Sequence, residues 1–189
     1  MRLICAGLLA VLVVGRAAPA VDLPGTTALR DKPIANAVVW LEAPLAPATK
    51  VEQNVVLDQR NLAFLPRVLA VRVGTTVGFP NNDRVFHDVF SFRDGKKFEL
   101  GLYPVGTVKH VPFDRPGLSR IFCNIHPAMA AYILAVDTPY FAVSDREGRF
   151  TIAEIPAGAY TYHAWRPGGD TLTGSAAVHA GTSLDVKWP

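Results

Sequence analysis

Cysteine is scarce in this chain of 189 residues, which contains only Cys5 and Cys123. Small secreted proteins without a sufficient core depend on several disulfide bonds, and two cysteines exclude that class. Half of the residues are hydrophobic, so a core can form without disulfide bonds. Cys5 lies in an N-terminal apolar segment, and we expect it to be removed with that segment. Cys123 then remains as an unpaired thiol whose neighbours decide its role.

No apolar run near the N-terminus is long enough to cross a membrane, which takes about 20 residues. The run at residues 3–14 follows Arg2 and precedes the small-residue sequence Ala18-x-Ala20. This order is typical of a secretory signal peptide, here residues 1–20. An uncleaved membrane anchor is the competing interpretation. We predict export to the periplasm and a mature chain without a membrane span.

Concentrated positive charge is also lacking. The sequence has 19 Lys and Arg residues against 16 Asp and Glu residues, a formal charge of +3. Loss of residues 1–20 removes Arg2 and Arg16 but no acidic residue, so the charge of the mature chain falls to +1. Because no segment gathers Lys and Arg, we do not expect nucleic acid as a partner.

The mature sequence has no clear amphipathic helix and many short strand patterns. β-Branched or aromatic runs are separated by Gly, Pro, Asn and Asp, which predicts an antiparallel sandwich or barrel. The predicted strands cover residues 37–41, 68–73, 76–79, 85–92, 108–113, 118–123 and 131–136. Residues 62–65 are the one candidate for a helical turn. The predicted fold class is therefore all-β.

The end of the chain has a different pattern. Residues 145–160 read D-x-x-G-x-F-x-I followed by P-x-G-x-Y. The segment 32–41 begins with Lys-Pro and ends in the strand pattern of residues 37–41. Both segments resemble parts of the carboxypeptidase regulatory-like, or transthyretin-like, β-sandwich. We expect Trp165 and Trp188 to pack inside this second, smaller sandwich.

The distance between these two segments suggests an insertion. Residues 21–54 and 138–189 would form one split sandwich, and residues 55–137 would form a domain inserted into it. The alternative is two consecutive domains, with an N-terminal strand added to the first. Pairing between residues 38–39 and the region 150–162 would favour the insertion.

Cys123 is followed by His126 and Met129 at intervals of three residues. Thiolate, imidazole and thioether are soft or borderline ligands that suit copper, and a second imidazole completes the usual set. His87, in the strand pattern upstream, is the best candidate for it. Each residue alone has a structural interpretation: His87 as a core or surface histidine, and Cys123 and Met129 as core residues. The four together predict a metal site at one end of a sandwich.

Residues from about 56 to 137 resemble a cupredoxin, the blue-copper fold of amicyanin and plastocyanin. The matching motifs are Phe-Leu-Pro at 64–66, V-x-V-G-T-T-V-x-F-x-N at 71–81, His87, and C-x-x-H-P-x-M at 123–129. The spacing of the last motif is closest to amicyanin. The whole chain also resembles exported bacterial proteins labelled as methylamine utilization proteins. This resemblance implies a Greek-key sandwich that holds one type 1 copper ion per chain.

A copper ion held by His87, Cys123, His126 and Met129 would have no open position, so we predict an electron carrier that cycles between Cu(I) and Cu(II), not an enzyme. The resemblance implies that His126 is the electron port and that a periplasmic dehydrogenase or a c-type cytochrome docks transiently. The alternatives are a copper carrier or chaperone without a redox circuit and an envelope interaction module.

One residue departs from the family pattern. Plastocyanin-like proteins commonly have Asn after the first ligand histidine, where this sequence has Asp88. Asp88 can still accept a hydrogen bond from the other ligand loop. Its negative charge would favour Cu(II) and lower the reduction potential.

Overall fold

The computed structural model describes residues 19–43, 54–92 and 94–189, and all regular elements in these residues are β-strands. Residues 1–18 of the predicted signal peptide lie outside the described residues. None of the described segments forms a helix with the length and apolarity needed to span a bilayer.

The prediction of an all-β chain is confirmed. In chain order the strands are β1 (Ala20–Leu29), β2 (Lys32–Pro33), β3 (Val38–Leu41), β4 (Val55–Val56), β5 (Asp58–Arg60), β6 (Ala63–Leu65), β7 (Val68–Arg72), β8 (Thr75–Pro80), β9 (His87–Ser91), β10 (Phe98–Tyr103), β11 (Val108–Phe113), β12 (Gly117–Cys123), β13 (Ala130–Val136), β14 (Phe141–Val143), β15 (Arg149–Pro156), β16 (Gly158–Trp165), β17 (Leu172–Val178) and β18 (Leu184–Trp188).

Strands β4 to β13 form the first sandwich. One sheet has five strands in the order β10-β9-β12-β13-β7, and a second has three in the order β11-β8-β4. Alternate residues of a strand point between the sheets, so β11 buries Val111 and Phe113 and exposes His110 and Pro112. Side chains from both sheets form one hydrophobic core, and Cys123 belongs to it.

Strands β1 to β3 and β14 to β18 form the second sandwich. β1 pairs with β15 and β18, and β3 pairs with β14 and β16. In the last of these pairs Val38 lies opposite Trp165, and Val39 lies opposite Ala164. Residues 38–39 therefore pair just beyond the predicted region 150–162, and Leu41 pairs with Tyr162 inside it. The division of the chain into domains stays a prediction.

Strand β1 was not predicted as such, and its composition explains why. It contains Pro24 and Gly25, two residues that are rare inside strands. A Cβ on Gly25 would lie 2.2 Å from the Leu184 carbonyl oxygen and 2.4 Å from the Phe150 ring. Glycine is needed there because β18 and β15 approach the strand closely, and the sequence pattern alone does not reveal that approach.

A third hydrophobic cluster joins the two sandwiches. Trp165 is 7% exposed, and its ring meets the Tyr132 ring edge to face, with centroids 5.3 Å apart. The prediction that Trp165 packs inside the second sandwich is wrong, because its side of β16 faces the five-stranded sheet. Trp188 does lie in the core of the second sandwich. The cluster comprises Val38, Val68, Ala70, Leu134, Val136 and Trp165.

Residues 62–65 belong to a hairpin, so the predicted helical turn is wrong. β5 and β6 pair antiparallel, and Asn61 and Leu62 form the two-residue turn between them. Their φ values are 53° and 56°. A tight hairpin turn of this kind requires positive φ at both residues. Leucine rarely adopts that conformation. The Leu62 N–H donates to Asp83 Oδ2 at 2.7 Å, which helps to hold the turn.

Gly148, in the turn between β14 and β15, has a φ of 76°, and a Cβ there would lie 2.5 Å from the Thr27 carbonyl oxygen. We expect Gly148→Ala to lower the free energy of unfolding by about 2 to 5 kcal/mol. The left-handed conformation costs an alanine roughly 1–2 kcal/mol, and overlap with the packed β1 backbone adds about 1–3 kcal/mol. Urea unfolding measures the loss.

Gly168 supplies the matched control. Its φ is 73°, but a Cβ on it would meet no atom within 4 Å. We therefore expect Gly168→Ala to lower the free energy of unfolding only by the cost of the left-handed conformation, about 1–2 kcal/mol. Equal losses in the two variants would contradict the close packing of Gly148 against β1.

Candidate metal centre

Three ligand-type side chains meet at one end of the first sandwich. β9 begins with His87 and β12 ends with Cys123, and the two strands are antiparallel neighbours. The turn after Cys123 carries His126, and the Met129 N–H closes this turn by donating to the His126 carbonyl oxygen at 2.9 Å. Strand β13 then returns beside β12. The predicted strand-turn-strand arrangement of residues 118–136 is therefore present.

The donor atoms lie close together. The Nδ1 atoms of His87 and His126 are 3.1 Å apart, and Cys123 Sγ lies 3.7 Å from the first and 3.5 Å from the second. A metal ion bonded to nitrogen at about 2.0 Å and to sulfur at about 2.3 Å has ligand atoms roughly 3 to 4 Å apart. In the described part of the chain, these residues are the one cluster of His, Cys, Asp or Glu side chains with the spacing of a metal site. The donor types and their spacing fit a metal ion that prefers imidazole and thiolate.

Burial makes the site suitable for neutral imidazole ligands. His87 is fully buried, Cys123 is 4% exposed, and His126 is half-buried at the rim. Burial lowers the pKa of His87 below its usual value, and the hydrogen bond to Asp83 opposes this in part. His87 is therefore neutral at pH 7, which is the form that binds metals.

Met129 is 1% exposed and belongs to the same core cluster as Cys123. It is the last residue before β13, so it is fixed by that strand on one side and by the turn to His126 on the other. Its assignment as the fourth ligand stays a prediction.

Asp88 joins the two ligand loops. Asn124 Nδ2 donates to Asp88 Oδ2 at 3.2 Å, and the Asn124 N–H donates to the Asp88 carbonyl oxygen at 2.9 Å. The loop donor expected for Asp88 is therefore Asn124, the residue after Cys123. Asp88 Oδ1 is buried and accepts no hydrogen bond from the described residues.

Several buried polar residues support the site, and the sequence pattern assigned none of them this role, although Asn81 ends the matching motif at 71–81. Asn81 Nδ2 donates to the carbonyl oxygens of Val85 and Tyr103 at 2.9 and 3.2 Å, which ties the loop before His87 to β10. The Tyr103 hydroxyl accepts a hydrogen bond from Gln59 Nε2 at 2.5 Å. Burial raises the pKa of Tyr103 to about 12, so the phenol stays protonated. Asn81 follows a predicted strand and could have been identified as a loop anchor, but Gln59 has no signal in the sequence.

The second carboxylate near the site is Asp83. Its Oδ2 lies 3.3 Å from His87 Nε2, on the opposite side of the ring from the Nδ1 atom that faces Cys123. The Leu62 N–H and, to a smaller extent, the Arg84 N–H donate to this carboxylate and lower its pKa. Its position four residues before His87 was visible in the sequence, but its contact with the ring was not.

Comparison with solved structures finds copper proteins of similar fold. A purple cupredoxin from Nitrosopumilus maritimus matches 44% of this chain and all of its own, at 22% identity and a TM-score of 0.41. A reduced Cu(I) form of an amicyanin variant matches 52% of this chain and 98% of its own, at 21% identity and a TM-score of 0.41. The chain resembles the cupredoxins. The resemblance predicted from the ligand motif is thus confirmed.

Part of a larger protein is also similar to this chain. A copper-containing nitrite reductase from Thermus scotoductus SA-01 matches 50% of this chain at 27% identity and a TM-score of 0.42, but the match spans only 25% of that reductase chain. No protein-family model and no curated protein sequence matches this chain. At TM-scores below 0.5, these likenesses do not show the activity of this chain.

Proposed function

We propose that this protein is a periplasmic type 1 copper protein that transfers single electrons between redox partners. His87, Cys123, His126 and Met129 would hold one copper ion per chain. The observation that carries the proposal is the convergence of two imidazole nitrogens and one thiol sulfur, all within 3.7 Å of one another, in a buried site. Copper bound to such ligands exchanges one electron between Cu(I) and Cu(II).

The surroundings of the donors favour electron transfer over catalysis. His87 and Met129 are buried, and Cys123 is part of the hydrophobic core, so these side chains keep water away from the site. Four protein ligands leave no position for a substrate, whereas catalytic metal sites keep one open. On this proposal the protein is not an enzyme.

The exposed rim of the site suits brief contact with a partner. His126 is half-buried, and its neighbours Ile125, Pro127 and Ala128 are exposed, Ile125 to 47%. Phe86, next to His87, is 51% exposed. A small apolar surface around a ligand imidazole would let a periplasmic dehydrogenase or a c-type cytochrome approach closely and leave quickly.

Copper titration of the purified mature protein tests the proposal. We expect one Cu(II) ion per chain, an intense visible absorption from the copper–thiolate bond, and full reversible reduction by one electron. Binding of Cu(I) alone, without a coloured Cu(II) form, would contradict the electron carrier and favour the copper carrier. Absence of copper binding would contradict both.

A further inference from the structure

Asp83 lies in the loop between β8 and β9 and is held by its neighbours. Its N–H donates to Asn81 Oδ1 at 3.1 Å, and Asn81 is itself fully buried. Asn81 Nδ2 in turn donates to the Val85 carbonyl oxygen at 2.9 Å. These bonds fix the loop at both ends, so the position of the Asp83 side chain is determined by the body of the sandwich.

The Asp83 carboxylate connects three parts of the chain. Oδ1 accepts the Arg84 N–H at 2.9 Å, and Oδ2 accepts the Leu62 N–H at 2.7 Å and lies 3.3 Å from His87 Nε2. The side chain is only 11% exposed. Leu62 keeps a left-handed backbone conformation that leucine rarely adopts, and such conformations persist where the surroundings hold them. The carboxylate therefore links the β5–β6 hairpin to the buried histidine.

This contact decides which nitrogen of His87 is available to a metal ion. A carboxylate can only accept a hydrogen bond, so Nε2 must carry the proton that it donates to Asp83. Nδ1 is then unprotonated and directed at Cys123 Sγ and His126 Nδ1. Carboxylates that accept from a ligand histidine fix the ring and raise its basicity as a ligand.

We propose that Asp83 is a positioning residue that holds His87 with Nδ1 toward the site and lowers the reduction potential of copper held there. The claim about the reduction potential rests on the proposed function. An aspartate is ionised at neutral pH, and a negative charge one imidazole ring away from the metal stabilises Cu(II) more than Cu(I). The Asp88 carboxylate accepts from Asn124, whereas the Asp83 carboxylate contacts the ligand ring itself.

The first experiment uses the metal-free protein and reads the tautomer of His87. Nitrogen NMR of the histidine side chains, with His87 assigned from a His87→Gln variant, is expected to show the Nε2–H form in the wild type. Its Nε2–H proton should show the downfield shift of a hydrogen bond to a carboxylate, and Asp83→Ala should lose this shift, because no acceptor remains at Nε2. An unchanged Nε2–H proton shift in a folded Asp83→Ala protein would overturn the positioning role.

The second experiment compares the reduction potentials of copper-loaded Asp83→Asn and Asp58→Asn. Asp58 is the matched control, because it lies on the β5–β6 hairpin, is 19% exposed and is bonded to Arg60 and Asn82. Asp83→Asn keeps the side-chain shape, removes the charge and should change the Cu(II)/Cu(I) affinity ratio about tenfold, a rise of about 59 mV. We expect less than a threefold change for Asp58→Asn.

Equal shifts in the two variants would overturn the claim about the potential. If the wild type binds no copper, the proposed function fails, and the Nε2–H proton signal of the metal-free protein still decides the positioning role. Urea unfolding of each variant checks that Asp83→Asn and Asp83→Ala remain folded.

Discussion

Cys123→Ser is expected to weaken copper binding by more than about 100-fold and to abolish the visible absorption. The sulfur of Cys123 is the donor that both imidazole nitrogens approach, at 3.5 and 3.7 Å. Serine has nearly the same shape but offers a hydroxyl that stays protonated, and copper prefers the soft thiolate. Because ligand loss should exceed the 10–100-fold effect of losing a supporting residue, the change is large enough to measure by competition with a chelator.

The fold should survive this substitution. Cys123 is 4% exposed and lies at the end of β12, so a serine at this position adds one partly satisfied hydroxyl at the edge of the core. His110→Gln is the control, because it removes an exposed imidazole on β11, which lies in a different sheet from the ligand strands β9 and β12. It should leave copper binding unchanged. A Cys123→Ser protein that bound copper as tightly as the wild type would show that the donor cluster is not the metal site.

Trp165→Ala is expected to lower the free energy of unfolding by about 3 to 5 kcal/mol, the range for removing a buried aromatic side chain. Trp165 packs on Tyr132 of the five-stranded sheet and shares a cluster with Val38 and Val68. Since this cluster joins the two sandwiches, its loss should also reduce the cooperativity between them. Calorimetry should then resolve two thermal transitions where the wild type has one.

Trp165→Phe keeps an aromatic ring on Tyr132 and serves as the control, with a smaller loss and a single transition. A loss below about 1 kcal/mol for Trp165→Ala would mean that the two sandwiches are not coupled through this residue.

The parts of the site that are close in sequence could be predicted. Cys123, His126 and Met129 are separated by a single turn, so their proximity follows from the chain length between them. His87 could be assigned as their partner only from its residue type and the strand pattern around it. Its exact placement beside Cys123 depends on the pairing of β9 with β12, in which Cys123 lies opposite Val89.

The sequence by itself determined the strand pattern and the turn that presents the ligands, because alternation of buried and exposed residues and the spacing of donors are local properties. Only the tertiary structure decided that Asp83 contacts His87, that Trp165 faces the other sandwich, and that Gly25 allows β1 to pair on both sides. These features depend on which distant segments become neighbours. Loop closure and sheet packing select those neighbours, and a local pattern contains no information about them.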